Sequence, residues 1–159
     1  MMRAAVRQRM LKLLGESGFW RVTGRLHAKL YRLTGGRIGG PGGGLDHLLL
    51  TTVGRHSGRL RTAPLTYLRD GTGFVLVASN GGSDRPPAWY YNLRDQPDVV
   101  LEVSGKRFEA RARVVDDGER ARLWPRLTAY NPFYADYALI ADREIPVVIC
   151  EPSLEDRRG

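Results

Sequence analysis

Apolar residues recur along this chain at two different spacings, one over the first 33 residues and another from Leu45 onward. In the first segment they fall three and four positions apart, the period of an amphipathic helix, and lysines and arginines fill most of the positions between them. This spacing predicts a basic amphipathic helical arm over residues 1–34, interrupted near Gly15 and Gly18. The apolar positions are Val6, Met10, Leu13, Leu14, Phe19, Val22, Leu26, Leu30 and Leu33.

Residues 35–44 contain seven glycines and one proline in ten positions, a composition typical of a flexible linker. The segment includes GxG spacings, but no predicted strand precedes them and no predicted helix opens within them. A dinucleotide-binding loop needs both, so the pattern argues against one here.

From Leu45 the pattern changes to short strand-like runs separated by Gly, Asp and Pro turn signals. Two helices interrupt them: the first opens near Pro86 and Pro87 with Asp84 as its N-cap and ends before Pro97, and the second covers about residues 117–129. Since strands and helices do not alternate strictly, we expect residues 45–159 to form one mainly β domain with helical insertions (α+β), a small antiparallel barrel. The predicted strands are His47–Val53, Ala63–Arg69, Phe74–Ser79, Val99–Val103, Phe108–Val115 and Ile145–Cys150.

Charge is distributed unevenly between the arm and the body. The chain has a net charge of +8, and residues 1–37 alone carry nine lysines and arginines against one acid, Glu16, so the remaining residues sum to zero. A nucleic-acid-binding domain normally carries its basic patch on the folded body, so this class is not expected. The arm has two readings, which stay open: it lies on an anionic membrane surface, or it docks on the protein's own core or on a second subunit.

Composition limits the remaining classes. At 159 residues the chain has room for one domain, and its single cysteine, Cys150, cannot form an internal disulfide, which favours a cytoplasmic location. The three histidines and Cys150 never cluster at ligand spacings, so no metal site is predicted. No run reaches the roughly 18 apolar residues of a transmembrane helix.

The densest polar feature is a predicted hairpin over residues 51–62. Arg55, Arg59 and Arg61 supply three guanidinium groups and His56 a fourth potential cation, while two glycines frame a turn whose backbone N–H groups can point into one concavity. Oxyanions such as phosphate or carboxylate are the natural guests of this combination. An ordinary hairpin with solvated charges is the alternative.

Two further stretches carry candidate chemistry. A Gly81-Gly82 turn between a strand and a helix start lets a planar ligand approach the backbone, although Trp89 and Tyr91 beyond it can equally be core residues. Farther on, Tyr134 and Tyr137 would share one face of a helical turn, where their hydroxyls can donate to a substrate oxygen or simply clamp the open end of the barrel. No nucleophile elbow, Walker loop or carboxylate pair appears, so an enzyme of this kind would take its chemistry from a cofactor.

These stretches, in this order, resemble the deazaflavin-dependent nitroreductase family, whose members use the 8-hydroxy-5-deazaflavin coenzyme F-420. The matching segments are LLLTTVGRHSGRLRTAPLTYLRDG, VASNGGSDRPPAWYYNL, YADY and IPVVICEP. The resemblance covers about residues 46 to 152. It implies a split β-barrel related to flavin-reductase and FMN-binding proteins, and hydride transfer from the reduced coenzyme to a quinone or nitroaromatic acceptor.

The resemblance also implies site residues. The coenzyme ends in a phosphate and a glutamate tail, which would be held by Arg55, His56, Ser57, Arg61, Thr62, Ala63, Pro64, Leu65 and Thr66. The deazaflavin ring would be lined by Val77, Ala78, Ser79, Asn80, Ala88, Trp89, Tyr90, Tyr91 and Asn92. The catalytic residues would be Tyr134, which also contacts the ring, together with Tyr137 and Ser79.

Three positions depart from the family pattern. Lysine is common where His56 and Asn80 stand, and a family tyrosine aligns with Asn131, next to which Tyr130 offers a substitute. Because histidine is largely neutral near pH 7, the resemblance implies weaker or pH-dependent binding of the tail. Two alternatives remain open: an FMN-dependent reductase of the same fold, and a non-catalytic coenzyme-binding module attached to the inner face of the cell membrane.

Overall fold

The computed structural model describes residues 26, 28–33 and 44–153. The predicted arm up to residue 25 and the predicted linker up to residue 43 therefore lie outside the described residues. None of the described helices has the length and apolar character needed to cross a membrane.

In the described part of the chain, seven antiparallel strands form one sheet, in the order β2-β1-β5-β6-β7-β4-β3. The two edge strands, β2 and β3, are separated in sequence by Tyr67 alone, so the sheet has to curl until its edges meet. This curled sheet confirms the predicted antiparallel barrel. The strands are β1 His47–Val53, β2 Leu60–Thr66, β3 Leu68–Asp70, β4 Gly73–Val77, β5 Asp98–Val103, β6 Lys106–Val114 and β7 Val147–Pro152.

The predicted strand Ala63–Arg69 is wrong as a single element. The chain forms β2 and β3 instead and turns a corner at Tyr67, whose N–H donates to the carbonyl of Asp46 at 3.0 Å. The final strand begins at Val147 rather than Ile145 and runs on to Pro152.

Within residues 44–153, three helices cover parts of the sheet: α1 Ala88–Asp95, α2 Asp117–Tyr130 and α3 Phe133–Ile140. Asp116 caps α2 by accepting the N–H of Glu119 at 2.8 Å, and Glu119 returns the contact to the N–H of Asp116 at 3.2 Å. The expected cap of α1 is wrong, because Pro87 rather than Asp84 precedes its first residue. Pro87 has an extended backbone, so the first helical residue is the one that follows it, Ala88.

Two apolar clusters hold these layers together. Inside the barrel, Leu48, Leu76 and Leu101 pack against α1, and on the outer side Val75 and Ile149 pack beneath α2 and α3. Alternate residues of β4 belong to the two clusters, so every residue of this strand is buried. Because β4 is held on both faces, the position at which the next segment leaves the sheet is fixed by packing.

The described end of the predicted arm, residues 28–33, is helical and packs on the body. Ala28 and Tyr31 are buried against Leu49, and the Tyr31 hydroxyl accepts the N–H of Ser104 at 2.8 Å. Arg32 forms two hydrogen bonds to the carboxylate of Glu102, at 2.6 and 3.0 Å. For these six residues, docking on the protein's own core is the arrangement found.

Candidate cofactor-binding site

A cleft of about 420 Å³ opens between β2, the segment after β4 and helix α3. Its volume lies within the range of roughly 300–1,000 Å³ that is typical of small-molecule sites. Ten of the residues predicted from the sequence line it: Ala63, Pro64, Leu65, Thr66, Val77, Ser79, Asn80, Trp89, Tyr134 and Tyr137.

The turn after β4 forms one wall of the cleft. Asn80, Gly81 and Gly82 all have positive φ angles, of 48°, 64° and 81°, so three consecutive residues adopt left-handed conformations. Gly81 lines the cleft, as expected for a close approach to a planar ligand. Gly82 serves packing instead, because a Cβ there would lie 2.6 Å from the side chain of Ile140 in α3.

Two tyrosines of α3 face the cleft from the other side. Tyr134 is buried, and this burial raises the pKa of its hydroxyl to about 12, although the neighbouring side chains of Asn131 and Thr66 oppose the shift. Burial also raises the pKa of Tyr137. Both phenols therefore keep their protons at neutral pH and can act as hydrogen-bond donors.

Tyr130 does not take the place of the family tyrosine. Its hydroxyl accepts the N–H of Asp46, and the side chain that lines the cleft at this point is Asn131. The carbonyl oxygen of the Asn131 side chain accepts the N–H of Phe133 at 3.2 Å, which fixes the start of α3.

The cationic hairpin, at residues 55–61, precedes the part of β2 that lines the cleft, Ala63–Thr66. The side chains of Arg55, His56, Arg59 and Arg61 are exposed. The expected concavity of free N–H groups is wrong for part of the turn, since the N–H of Gly54 donates to Arg59 and that of Gly58 to Gly54, at 2.8 and 2.7 Å. The turn therefore offers charged side chains more than backbone donors.

Asn92 anchors this hairpin to the sheet. Its side-chain carbonyl accepts the N–H of Arg55 at 3.1 Å, and its amide donates to the Thr52 hydroxyl at 3.0 Å. The Arg55 guanidinium in turn lies 4.6 Å from the centre of the Tyr91 ring. Asn92 and Tyr91 thus support the hairpin and are absent from the cleft lining.

The remaining predicted residues lie around these two features. Ser57 is exposed in the turn. The hydroxyl of Thr62, on β2, is hydrogen-bonded to that of Thr51, on β1, at 2.9 Å. Ala78 and Tyr90 are buried in the barrel core, and Ala88 is exposed at the start of α1. The sequence therefore predicts which residues lie near the site, but not which of them face the cleft.

A second, larger groove of about 530 Å³ lies along β5, β6 and β7. Asp98, Glu109 and Glu151 contribute carboxylates to it, which is the wrong sign for an anionic ligand, and none of the predicted site residues lines it. Among the described residues, His, Cys, Asp and Glu side chains nowhere gather in a group of three or more that would hold a metal ion.

The family model of the F420H(2)-dependent quinone reductases matches residues 23–152, most of the chain. The chain belongs to this family. An F420H(2)-dependent quinone reductase of Mycobacterium tuberculosis (strain ATCC 25618 / H37Rv) is 44% identical over 129 residues, which are 79% of this chain and 87% of that protein. The resemblance found in the sequence is thus confirmed at the level of an F-420-dependent reductase family.

Solved structures agree with this F420H(2)-dependent quinone reductase assignment. A structure described as an F420-H2 dependent reductase superimposes with a TM-score of 0.61 at 35% identity, covering 66% of this chain and 93% of that one. The haem storage protein HutZ of Vibrio cholerae, at 16% identity and a TM-score of 0.52, covers 67% of this chain and 81% of its own, and supports the fold alone. The predicted split-barrel class is confirmed.

Three residues that line the cleft of this F420H(2)-dependent quinone reductase family member were not predicted to line it: His47, Pro87 and Asn131. His47 could have been found from strand pairing, because it lies opposite Thr66 in the β1–β2 register. Pro87 directly precedes α1, and Asn131 directly follows α2. The positions at which helices begin and end were therefore the missing signal.

Proposed function

We propose that this protein oxidises the reduced deazaflavin coenzyme F-420 and passes its hydride to a quinone, with nitroaromatic compounds as a second class of acceptor. The observation that carries the proposal is a single cleft lined by residues of three separate motifs, in a chain that belongs to the F420H(2)-dependent quinone reductase family. A location in the cytoplasm, with the arm on the inner face of the cell membrane, is part of the same proposal.

The residues present fit this coenzyme. Val77, Pro87 and Trp89 offer apolar surface to a planar ring, while Ser79 and Asn80 offer polar edges. Arg61 lies two residues before Ala63 on β2, about 7 Å along the strand, so cationic groups begin just beyond the apolar lining. An aromatic ring with an anionic tail matches this order.

The predicted binding residues divide accordingly. The exposed side chains of Arg55 and Arg61, with those of His56 and Ser57, would hold the phosphate and the glutamate tail, because guanidinium groups donate paired hydrogen bonds to such oxyanions. Val77, Ser79, Asn80 and Trp89 would contact the ring. We also assign Ala63–Thr66 of β2 to the ring rather than to the tail, because they line the same cleft. We assign Asn92 and Tyr91 a supporting role rather than ring contact, given their bonds to Arg55.

The chain itself would position the acceptor and donate a hydrogen bond to it. When bound, the reduced coenzyme supplies the hydride. Tyr134 retains its proton at neutral pH, because its pKa is raised to about 12, and can therefore donate a hydrogen bond to a quinone oxygen. Tyr137 and Ser79 line the same cleft and would orient the acceptor.

The proposal is tested by mixing the purified protein with the reduced deazaflavin and a water-soluble quinone and following coenzyme oxidation. We expect turnover in the wild type, and at least about a tenfold loss of coenzyme affinity in the double variant Arg55→Ala/Arg61→Ala, since each charge-assisted hydrogen bond contributes about 1.5–3 kcal/mol. A matched control, Lys106→Ala/Arg111→Ala, removes two exposed cations from β6 and should bind as the wild type does.

The same titration separates the alternatives. Tighter binding of FMN than of the deazaflavin would contradict the coenzyme assignment. Binding of the deazaflavin without turnover across quinones and nitroaromatics would favour a storage or carrier role. Unchanged affinity in Arg55→Ala/Arg61→Ala would contradict the assignment of the hairpin to the tail.

A further inference from the structure

Arg143, in the connection between α3 and β7, contacts three backbone carbonyls of one turn. Its Nε donates to the carbonyl of Ser83 at 3.0 Å, and its Nη2 donates to those of Ala78 and Ser79 at 3.2 and 3.1 Å. The side chain is partly buried, and this burial lowers the pKa of the guanidinium. The nearby Tyr91 and Asp84 oppose this shift.

The turn that Arg143 contacts forms part of the cleft, which Ser79, Asn80 and Gly81 line. Backbone hydrogen bonds within the turn are few: the N–H of Gly82 donates to Ser79 at 2.9 Å, and that of Ser83 to Asn80 at 3.1 Å. Consecutive left-handed residues such as Asn80–Gly82 persist only where their surroundings hold them.

Arginine is suited to this contact in a way that lysine is not. Its planar guanidinium presents five N–H donors in a fixed arrangement, so one side chain can bond several carbonyls that converge on it. The three carbonyls come from both ends of the turn, at residues 78–79 and at residue 83. The guanidinium therefore joins the ends and fixes the span between them.

We propose that Arg143 is a positioning residue for hydride transfer: by bonding the carbonyls of Ala78, Ser79 and Ser83, it holds the turn in the shape that places Ser79 and Asn80 in the cleft. This rests on the proposed function of the cleft. Arg143 acts through the turn and is absent from the cleft lining. The tail would be held by the separate hairpin at residues 55–61, so loss of Arg143 should affect the reaction more than the binding of the coenzyme.

The test compares Arg143→Met with Arg120→Met. Arg120 of α2 donates to the carbonyl of Ile145, in the same connection, but does not contact the turn. For Arg143→Met we expect kcat to fall about 10- to 100-fold, as for other small misplacements of reacting groups, with coenzyme affinity changed less than about threefold. In the ligand-free variant, the amides of Gly82 and Ser83 should exchange with solvent faster than in the wild type. Arg120→Met should leave both kcat and this exchange unchanged.

A second substitution covers poor folding of the first. Arg143→Lys keeps the charge but has only one donor nitrogen, so its kcat and amide protection should lie between those of the wild type and Arg143→Met. Unchanged exchange at Gly82 and Ser83, or an equal loss of kcat in Arg120→Met, would overturn the proposal. Amide exchange needs no coenzyme, so a failure of the proposed function would appear separately, as a wild type that does not oxidise the deazaflavin.

Discussion

Asn92 is a single buried amide that connects the cationic hairpin to the sheet. Both of its polar groups are used, one by the N–H of Arg55 and the other by the Thr52 hydroxyl. A buried group that loses its only partner carries the full cost of desolvation, about 1–3 kcal/mol. Asn92 should therefore matter to the stability of the protein and to the position of Arg55.

The substitution Asn92→Ala is expected to destabilise the protein by about 1–3 kcal/mol and to weaken coenzyme binding, because the N–H of Arg55 loses its acceptor and the hairpin its anchor. Urea denaturation and coenzyme titration measure the two effects. Gln96→Ala, at the exposed end of the same helix, is the control and should change neither. A stability loss with unchanged affinity would mean that Asn92 does not position the hairpin.

At this scale the sequence predicted residue types better than contacts. The run Ala88–Asn92 was expected to line the ring, yet within it only Trp89 faces the cleft, while Asn92 faces Thr52. Residue spacing fixes the angle between two side chains on a helix, but the rotation of the helix on the sheet depends on contacts with distant strands. Residues 52 and 92 are forty positions apart, beyond the reach of any local pattern.

At the scale of elements, a carboxylate at the end of β3 links this short edge strand to α2. Asp70 accepts hydrogen bonds from Arg122, at 2.9 and 2.7 Å, and from Arg126, at 2.7 Å. The two arginines are four residues apart and so share one face of the helix. Their guanidinium groups hold the pKa of the Asp70 carboxyl well below its usual range.

A pH dependence of stability follows from Asp70. Because its pKa is lowered in the folded state, its contribution is fully present above the unfolded pKa, near 4, and is lost progressively as the pH falls from there through the lower folded pKa. We expect Asp70→Asn to cost about 1 kcal/mol at pH 7 and clearly less at pH 2, as measured by denaturant unfolding. Asp98→Asn removes a carboxylate whose pair with Arg111 is largely exposed, and should have little effect at either pH. An equal cost for Asp70→Asn at both pH values would contradict this account.

Elements set by local signals were predicted well, and elements set by distant contacts were not. Helix α2 begins where the acidic start predicts, because its cap is formed by residues within the same turn. The division of β2 from β3 depends on a bond from Tyr67 to Asp46, twenty-one positions away. After Asn131-Pro132, the sequence pattern predicts only a helical turn around Tyr134. The structure instead has a helix of eight residues, α3, which packs against Gly82.

At the scale of the whole molecule, the net charge of +8 belongs to the first 37 residues and leaves the barrel neutral. One of these cations, Arg32, is paired with Glu102 on the barrel, and its neighbour Tyr31 is buried. The hypothesis that the arm binds a membrane therefore depends on its other cations, most of which precede residue 26. A neutral barrel that binds a hydrophobic acceptor would gain from such an arm, because the arm would hold it near lipid-dissolved substrate.

This reading predicts binding of the full-length protein to vesicles of phosphatidylcholine with phosphatidylglycerol, measured by co-sedimentation at low and high salt. Replacing Arg3, Arg7, Arg9 and Lys12 by glutamine should weaken binding about 10- to 1,000-fold, since each cation near an anionic surface contributes about 1 kcal/mol. The control replaces four exposed cations of the body by glutamine, Arg85, Arg94, Lys106 and Arg107, and should bind as the wild type does. Equal losses in the two variants would indicate a general charge effect, and a wild type that stays in the supernatant would leave docking on protein as the role of the arm.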